Sequence, residues 1–184
     1  IKSEIQEPLF TKFLDAHYWP QSVDTGCKHS TSLAVDSEET FKCFKDFQNS
    51  SLLETEKLWL QENQIALVLS DVASMPLKAA HDLGIPSILI GNFTWHDIYN
   101  HLPGADKHKQ LLQGLEEEYR CADLHILPQC HLPPLQVKKS KEVGFLAQQG
   151  QDIRKDIEQH LDISFSDKTL IFIYLGEHGT NSVL

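Results

Sequence analysis

No apolar run in this 184-residue chain approaches the roughly 20 residues that a membrane-spanning helix needs, and no leader of the basic-then-apolar kind opens it. The expectation is a protein without a membrane span, in the cytoplasm. Clustered lysine and arginine are lacking too. Against a net charge of -10, the one dense basic group is Lys138-Lys139-Ser140-Lys141, too short to track a phosphate backbone, so nucleic acid is excluded as the expected partner. The four cysteines, Cys27, Cys43, Cys121 and Cys130, form no C-x-x-C pair and read as reduced thiols. His125, Cys130 and His131 match no standard zinc spacing, and His125 reads as a half-buried strand histidine, so neither a metal nor another cofactor is expected. What is present is ordinary for a globular domain: 41% hydrophobic and 23% charged residues, enough for one real core.

The informative stretch is residues 65–99, IALVLSDVASMPLKAAHDLGIPSILIGNFTWHDIY. Two near-continuous apolar runs, IALVL at 65–69 and ILI at 88–90, enclose a segment with Ser74 as N-cap, Pro76 in the first turn, apolar residues at 75, 79 and 83, and Gly84 as the left-handed stop. That is a parallel βαβ unit whose strands read as buried on both faces. Its polar corners, Ser70-Asp71 and Asn92-Phe93-Thr94-Trp95, fall at the carboxyl ends of the strands, the edge where open α/β sheets bind ligands.

Around this unit, a helix is expected over 52–63, with Ser51 and Glu54 as a capping box and Glu56 interrupting its apolar face. Thr94 and Asp97 repeat the capping logic for a helix that Pro103-Gly104 ends. A longer helix over about 105–121 presents Leu111, Leu112, Leu115 and Tyr119, and leads into a strand at 124–127. A further strand is expected around 142–145, a helix over 152–161 and a fully buried strand over 169–175 that ends in the corner Gly176-Glu-His-Gly179. Residues 1–40 are the least readable, with 9–14 fitting a helical turn or a short strand. Both ends read as cut: the first residue is Ile, and the last residues follow a strong strand at once.

Leu69-Ser-Asp-Val72, Ala79-Ala-His-Asp-Leu-Gly-Ile-Pro86 and Asn92-Phe-Thr-Trp-His-Asp-Ile-Tyr99 resemble the amino-terminal domain of GT-B glycosyltransferases, with the nearest likeness in the glycosyltransferase-like half of L-arabinokinase-type proteins. The likeness runs over about residues 52–176 and is most specific at 92–99. It implies an α/β fold, a Rossmann-like parallel sheet with helices on both faces, incomplete here. Residues 1–165 would form the acceptor-side domain and 166–184 the start of a truncated donor-side domain. The implied function is sugar transfer from a nucleotide-sugar donor, held by the missing domain, to a small-molecule acceptor. The fragment alone would be inactive. The rival is a non-catalytic ligand-binding or regulatory module of the same fold. The family's opening strand with its Gly-rich, often His-containing turn is missing, as is the rest of the donor domain, and no kinase motif occurs.

Each candidate residue carries two readings. Asp71 could orient an acceptor hydroxyl or a neighbouring histidine for the proton removal of an inverting transfer, or it could cap N–H groups of its own turn. Ser70, Asn92, Phe93, Trp95 and His96 are candidate ligand contacts: Trp offers a flat face with a donor at its edge and Asn both hydrogen-bonding senses. Against that, Phe93 and Trp95 could pack the loop on the core. Gly176 and His178 resemble a donor-side loop, where glycine lets backbone N–H groups approach a phosphate.

Overall fold

The computed structural model describes residues 1–4, 15–31, 34–147, 150–169 and 171. Two short strand pairs lead the chain. β1 (Lys2–Ser3) runs parallel to β2 (Trp19–Pro20), and β3 (His29–Thr31) runs antiparallel to β4 (Ala34–Val35). Asp36 then accepts a hydrogen bond from the Glu39 N–H at 3.0 Å and starts α1 (Ser37–Gln48), which buries Thr40, Phe41 and Phe44.

α2 (Leu52–Glu62) begins without the expected box: Ser51 makes no side-chain cap, and Glu54 pairs with Lys57 at 2.7 Å. Glu56 does not interrupt the packed face. It is 2% exposed, and the Lys2 ammonium meets it at 2.5 Å while lying 3.6 Å from the Trp59 ring centroid. That ion pair fastens the chain's first strand to α2.

The βαβ unit is present as β5 (Val68–Asp71), α3 (Met75–Asp82) and β6 (Ser87–Ile90). At the end of α3 the Gly84 N–H bonds to the His81 carbonyl and the Ile85 N–H to the Ala80 carbonyl, with Gly84 at φ +70°, a Schellman ending that needs glycine's freedom. After β6, Thr94 and Asp97 form a reciprocal capping box for α4 (Trp95–Tyr99). A 3-10 helix (Ala105–His108) and α5 (Lys109–Arg120) follow, then β7 (Leu124–Leu127), β8 (Ser140–Glu142) and α6 (Arg154–Leu161). β8 takes up Ser140 and Lys141 of the lysine group and pairs parallel to β7. The expected strand at 169–175 and its corner at 176–179 lie outside the described residues, as does the 9–14 segment.

The four long strands form one parallel sheet in the order β5-β6-β7-β8, a Rossmann-like α/β arrangement. The order is monotonic, and right-handed crossovers that step one way place every connecting helix on one face. Accordingly Phe41 and Phe44 of α1, Leu77 of α3, Leu89 of β6, and Leu112, Leu115 and Tyr119 of α5 share one core, with Leu60 of α2, Val68, Ala79 and Ala80 in a second cluster beside it. Among the described residues, the helices that share a core with the sheet thus lie on one face. Leu69 is 61% exposed on the opposite face, Ile88, Ile90, Leu124 and Ile126 are half-buried there, and no described helix buries a side chain against them. An unbroken apolar run says that a strand is in a sheet; it does not say which of its faces has been covered.

Candidate functional site

Parallel pairing sets Asp71 opposite Ile90, so the two polar corners rise side by side from one carboxyl edge. The first corner turns sharply at Val72, whose φ of +66° puts a β-branched residue in the left-handed region, a conformation that costs free energy unless its surroundings impose it. They do. The Ser70 hydroxyl, buried, donates to the Ala73 carbonyl at 2.6 Å, the Ala73 N–H donates to the Asp71 carbonyl at 2.9 Å, and the Tyr119 hydroxyl donates to the Val72 carbonyl. The turn is thus closed without the Asp71 carboxylate. That group is exposed and makes no hydrogen bond or ion pair among the described residues.

The second corner presses against the first. A Cβ built on Gly91 would stand 3.1 Å from both the Phe93 carbonyl oxygen and Val72 Cγ2, so a larger residue there would push the two turns apart by a few tenths of an ångström. Asn92 is exposed and its carbonyl accepts from the Leu132 N–H at 2.8 Å. The Tyr119 hydroxyl joins the corners: besides donating to Val72, it accepts from the Trp95 N–H at 3.0 Å. Burial holds the Tyr119 phenol far above its ordinary pKa, so it stays a neutral donor. From beneath, His125, 2% exposed, bonds through Nε2 to the Gly91 carbonyl at 3.2 Å; burial lowers its pKa, and the neutral ring donates. Among the described residues no group of three potential ligands stands ready for a metal ion.

Trp95, the first residue of α4, is half-buried and closely engaged. Its Nε1–H donates to Asp24 at 3.1 Å, its ring stacks on Tyr99 at 5.7 Å, and Phe93 meets it edge-on at 5.7 Å. Tyr99 in turn donates to the Gly26 carbonyl at 2.8 Å. The segment around residue 24 is thereby clamped over the second corner, and the packing reading of Phe93 and Trp95 describes these contacts. The clamp delivers a residue that the sequence did not single out. Asp24 is partly buried, and desolvation raises its pKa above the ordinary carboxylate value, opposed by the bond from Trp95 and reinforced by the negative charges of Glu4 and Asp71. Asp24 and Asp71 thus sit within one field, flanked by the indole N–H.

His96 goes elsewhere. It lines a groove of about 390 Å³ with Asn100, Asp106, Lys109 and Gln113. Ser70, Asp71, Asn92, Phe93 and Trp95 are therefore gathered at the carboxyl edge, whereas His96 lines this groove. Gly176 and His178 lie outside the described residues.

The comparisons with known proteins add one relative. The chain is 26% identical over 162 residues to the L-arabinokinase of Arabidopsis thaliana, covering 84% of this chain and 15% of that protein. The relationship is distant, and the chain spans a minor part of its relative's length. No protein-family model matches the chain, and no solved structure matches it.

Proposed function

We propose that this chain is the acceptor-side part of a GT-B-like glycosyltransferase, the corners at Asp71 and Asn92 receiving the hydroxyls of a sugar or other small polar acceptor. The observation that carries the reading is the Asp71 carboxylate, exposed and without a hydrogen bond or ion pair among the described residues, at the carboxyl edge of adjacent parallel strands, on a turn closed by other groups and within the reach of the Asp24 charge. The distant relationship to a sugar-acting protein supports it. In this reading Asp71 accepts a hydrogen bond from the attacking hydroxyl, Asp24 sets the local charge, and Asn92 supplies a second polar contact. The nucleotide-sugar donor belongs to a facing domain, of which residues 166–184 would be the beginning, and its leaving diphosphate needs N–H donors more than a metal. The setting proposed is cytoplasmic.

A second reading, a non-catalytic binding module, is favoured by one feature. Among the described residues no histidine hydrogen-bonds to Asp71: His96 lines a groove and His125 bonds to the Gly91 carbonyl. Calorimetry with free pentoses and hexoses tests the site: binding is expected for wild type, weakened about 10- to 100-fold by Asp71→Asn, the loss of one charge-assisted hydrogen bond. Equal affinity in the variant removes Asp71 from the site. Turnover of a nucleotide-sugar by a longer protein containing this chain separates enzyme from module.

A further inference from the structure

Residues 21–28 form neither helix nor strand, yet three successive positions fasten them to the second corner. Asp24 accepts the Trp95 Nε1–H at 3.1 Å, Thr25 Oγ1 lies 3.3 Å from the Tyr99 hydroxyl, and that hydroxyl donates to the Gly26 carbonyl at 2.8 Å. Gly26, at φ +54°, turns the backbone against the indole: a Cβ built there would stand 3.8 Å from Trp95 Cη2. Cys27 and Trp95 then pack on the same core cluster. One residue on, the Lys28 N–H donates to Thr40 Oγ1 at 2.9 Å and the Lys28 carbonyl accepts from the Asp36 N–H at 2.8 Å, which ties the chain to the start of α1. The segment is thus a strap, anchored at Lys28 and clasped at Asp24.

The clasp is a carboxyl in poor surroundings for a charge. Facing it are Glu4 from the chain's first segment, Asp71 from the end of β5, Tyr99 from α4 and Tyr119 from α5, with Cys27 on the strap itself. Burial keeps both phenols neutral, whereas Glu4 and Asp71 add negative charge. Burial is also the largest influence on Asp24 and raises its pKa; the indole N–H and the Gly26 N–H favour the charged form without reversing the direction. Opening the strap returns the carboxyl to water. A carboxyl whose pKa is higher closed than open supports closure fully below the ordinary carboxylate range, and that support is lost as pH rises through the raised value. The neutral carboxyl still accepts the indole N–H through its carbonyl oxygen.

We propose that residues 21–28 are an acid-closed strap over the Trp95 corner, loosened as the Asp24 carboxyl ionises. Loosening frees the indole N–H and uncovers Cys27, while Lys28 stays fixed to α1. Asp71 is one of the charges that oppose closure, so the strap and the turn after β5 are electrically coupled. The device stands whether or not the corner takes a sugar.

Cys27 reports the state of the strap, because closure buries its thiol in part. Its labelling by a dipyridyl disulfide, read on the Cys27 peptide by mass spectrometry, is compared between variants at each pH from about 4 to 8, so that thiol ionisation cancels. Asp24→Asn keeps an oxygen for the indole N–H and carries no charge; it should stay closed throughout. Asp24→Ala loses the acceptor and should label Cys27 about 10-fold faster than Asp24→Asn at every pH. Wild type should match Asp24→Asn near the acid end and label about 3-fold faster or more at the alkaline end. Cys121, the C-cap of α5, should label alike in all three. Should Asp24→Ala misfold by circular dichroism, wild type against Asp24→Asn decides alone. A constant ratio between those two across the series, Asp24→Ala as slow as Asp24→Asn, or Cys121 accelerating in step with Cys27 overturns the proposal.

Discussion

Leu89 and Leu69 lie on neighbouring strands of one sheet, yet Leu89 is completely buried and Leu69 is 61% exposed. The first faces α1, α3 and α5; the second faces nothing that the described residues supply. Side chains alternate across a strand, so the two faces come from a single apolar run read at odd and even positions. The comparison teaches that stability and sequence pattern are decoupled here. Residues of equal hydrophobicity differ in worth according to which way the next crossover turned.

The sharpest way to break that comparison is truncation on each face. Leu89→Ala should cost about 2–5 kcal/mol in urea unfolding, and Leu69→Ala less than about 0.5 kcal/mol. Equal losses would show the second face to be covered. Next in size is Tyr119→Phe, which leaves the Val72 carbonyl and the Trp95 N–H without their partner and should cost about 1–3 kcal/mol. Hydrogen exchange at Trp95 checks that the loss is local.

A pH series sharpens the contrast further. On the covered side Glu118 accepts from Ser74 at 2.6 Å and from Gln48 at 2.9 Å, and burial raises its pKa. A raised folded-state value means that its contribution is fully present below the ordinary carboxylate range and is lost as pH rises through the raised value. Glu118→Gln should therefore flatten the decline in melting temperature above about pH 4.5, an effect read directly from melts at successive pH values. The smallest effect belongs to the exposed side: Asp71→Asn should leave stability within about 0.5 kcal/mol in urea unfolding, because the carboxylate makes no hydrogen bond or ion pair among the described residues.

Local chemistry was legible in the sequence wherever the partners are neighbours. The Thr94–Asp97 box and the Gly84 ending both follow from residues within a few positions of each other, and the strand–helix–strand order followed from periodicity. Even there, a local signal failed where a distant group competed. The Ser74 hydroxyl is drawn away from its cap by Glu118, and Glu56, an apparent flaw in α2, is matched by Lys2, 54 residues earlier. The placement of Asp71 and Asn92 at the carboxyl edge was legible, and the contacts of Asp24 and Tyr119 were not. Those two reach Trp95 and Val72 across 71 and 47 residues, and no spacing rule connects them. A buried tyrosine on the inner stripe of α5 was visible as core; that its oxygen had a task was not.

That oxygen also sets an order of assembly. The turns at Val72 and Trp95 are both encoded before residue 100, but the hydroxyl that fixes them arrives with α5. A nascent chain that has emerged only as far as Leu102 carries the letters of both loops and lacks the rivet between them, so the two turns settle only after α5 has docked.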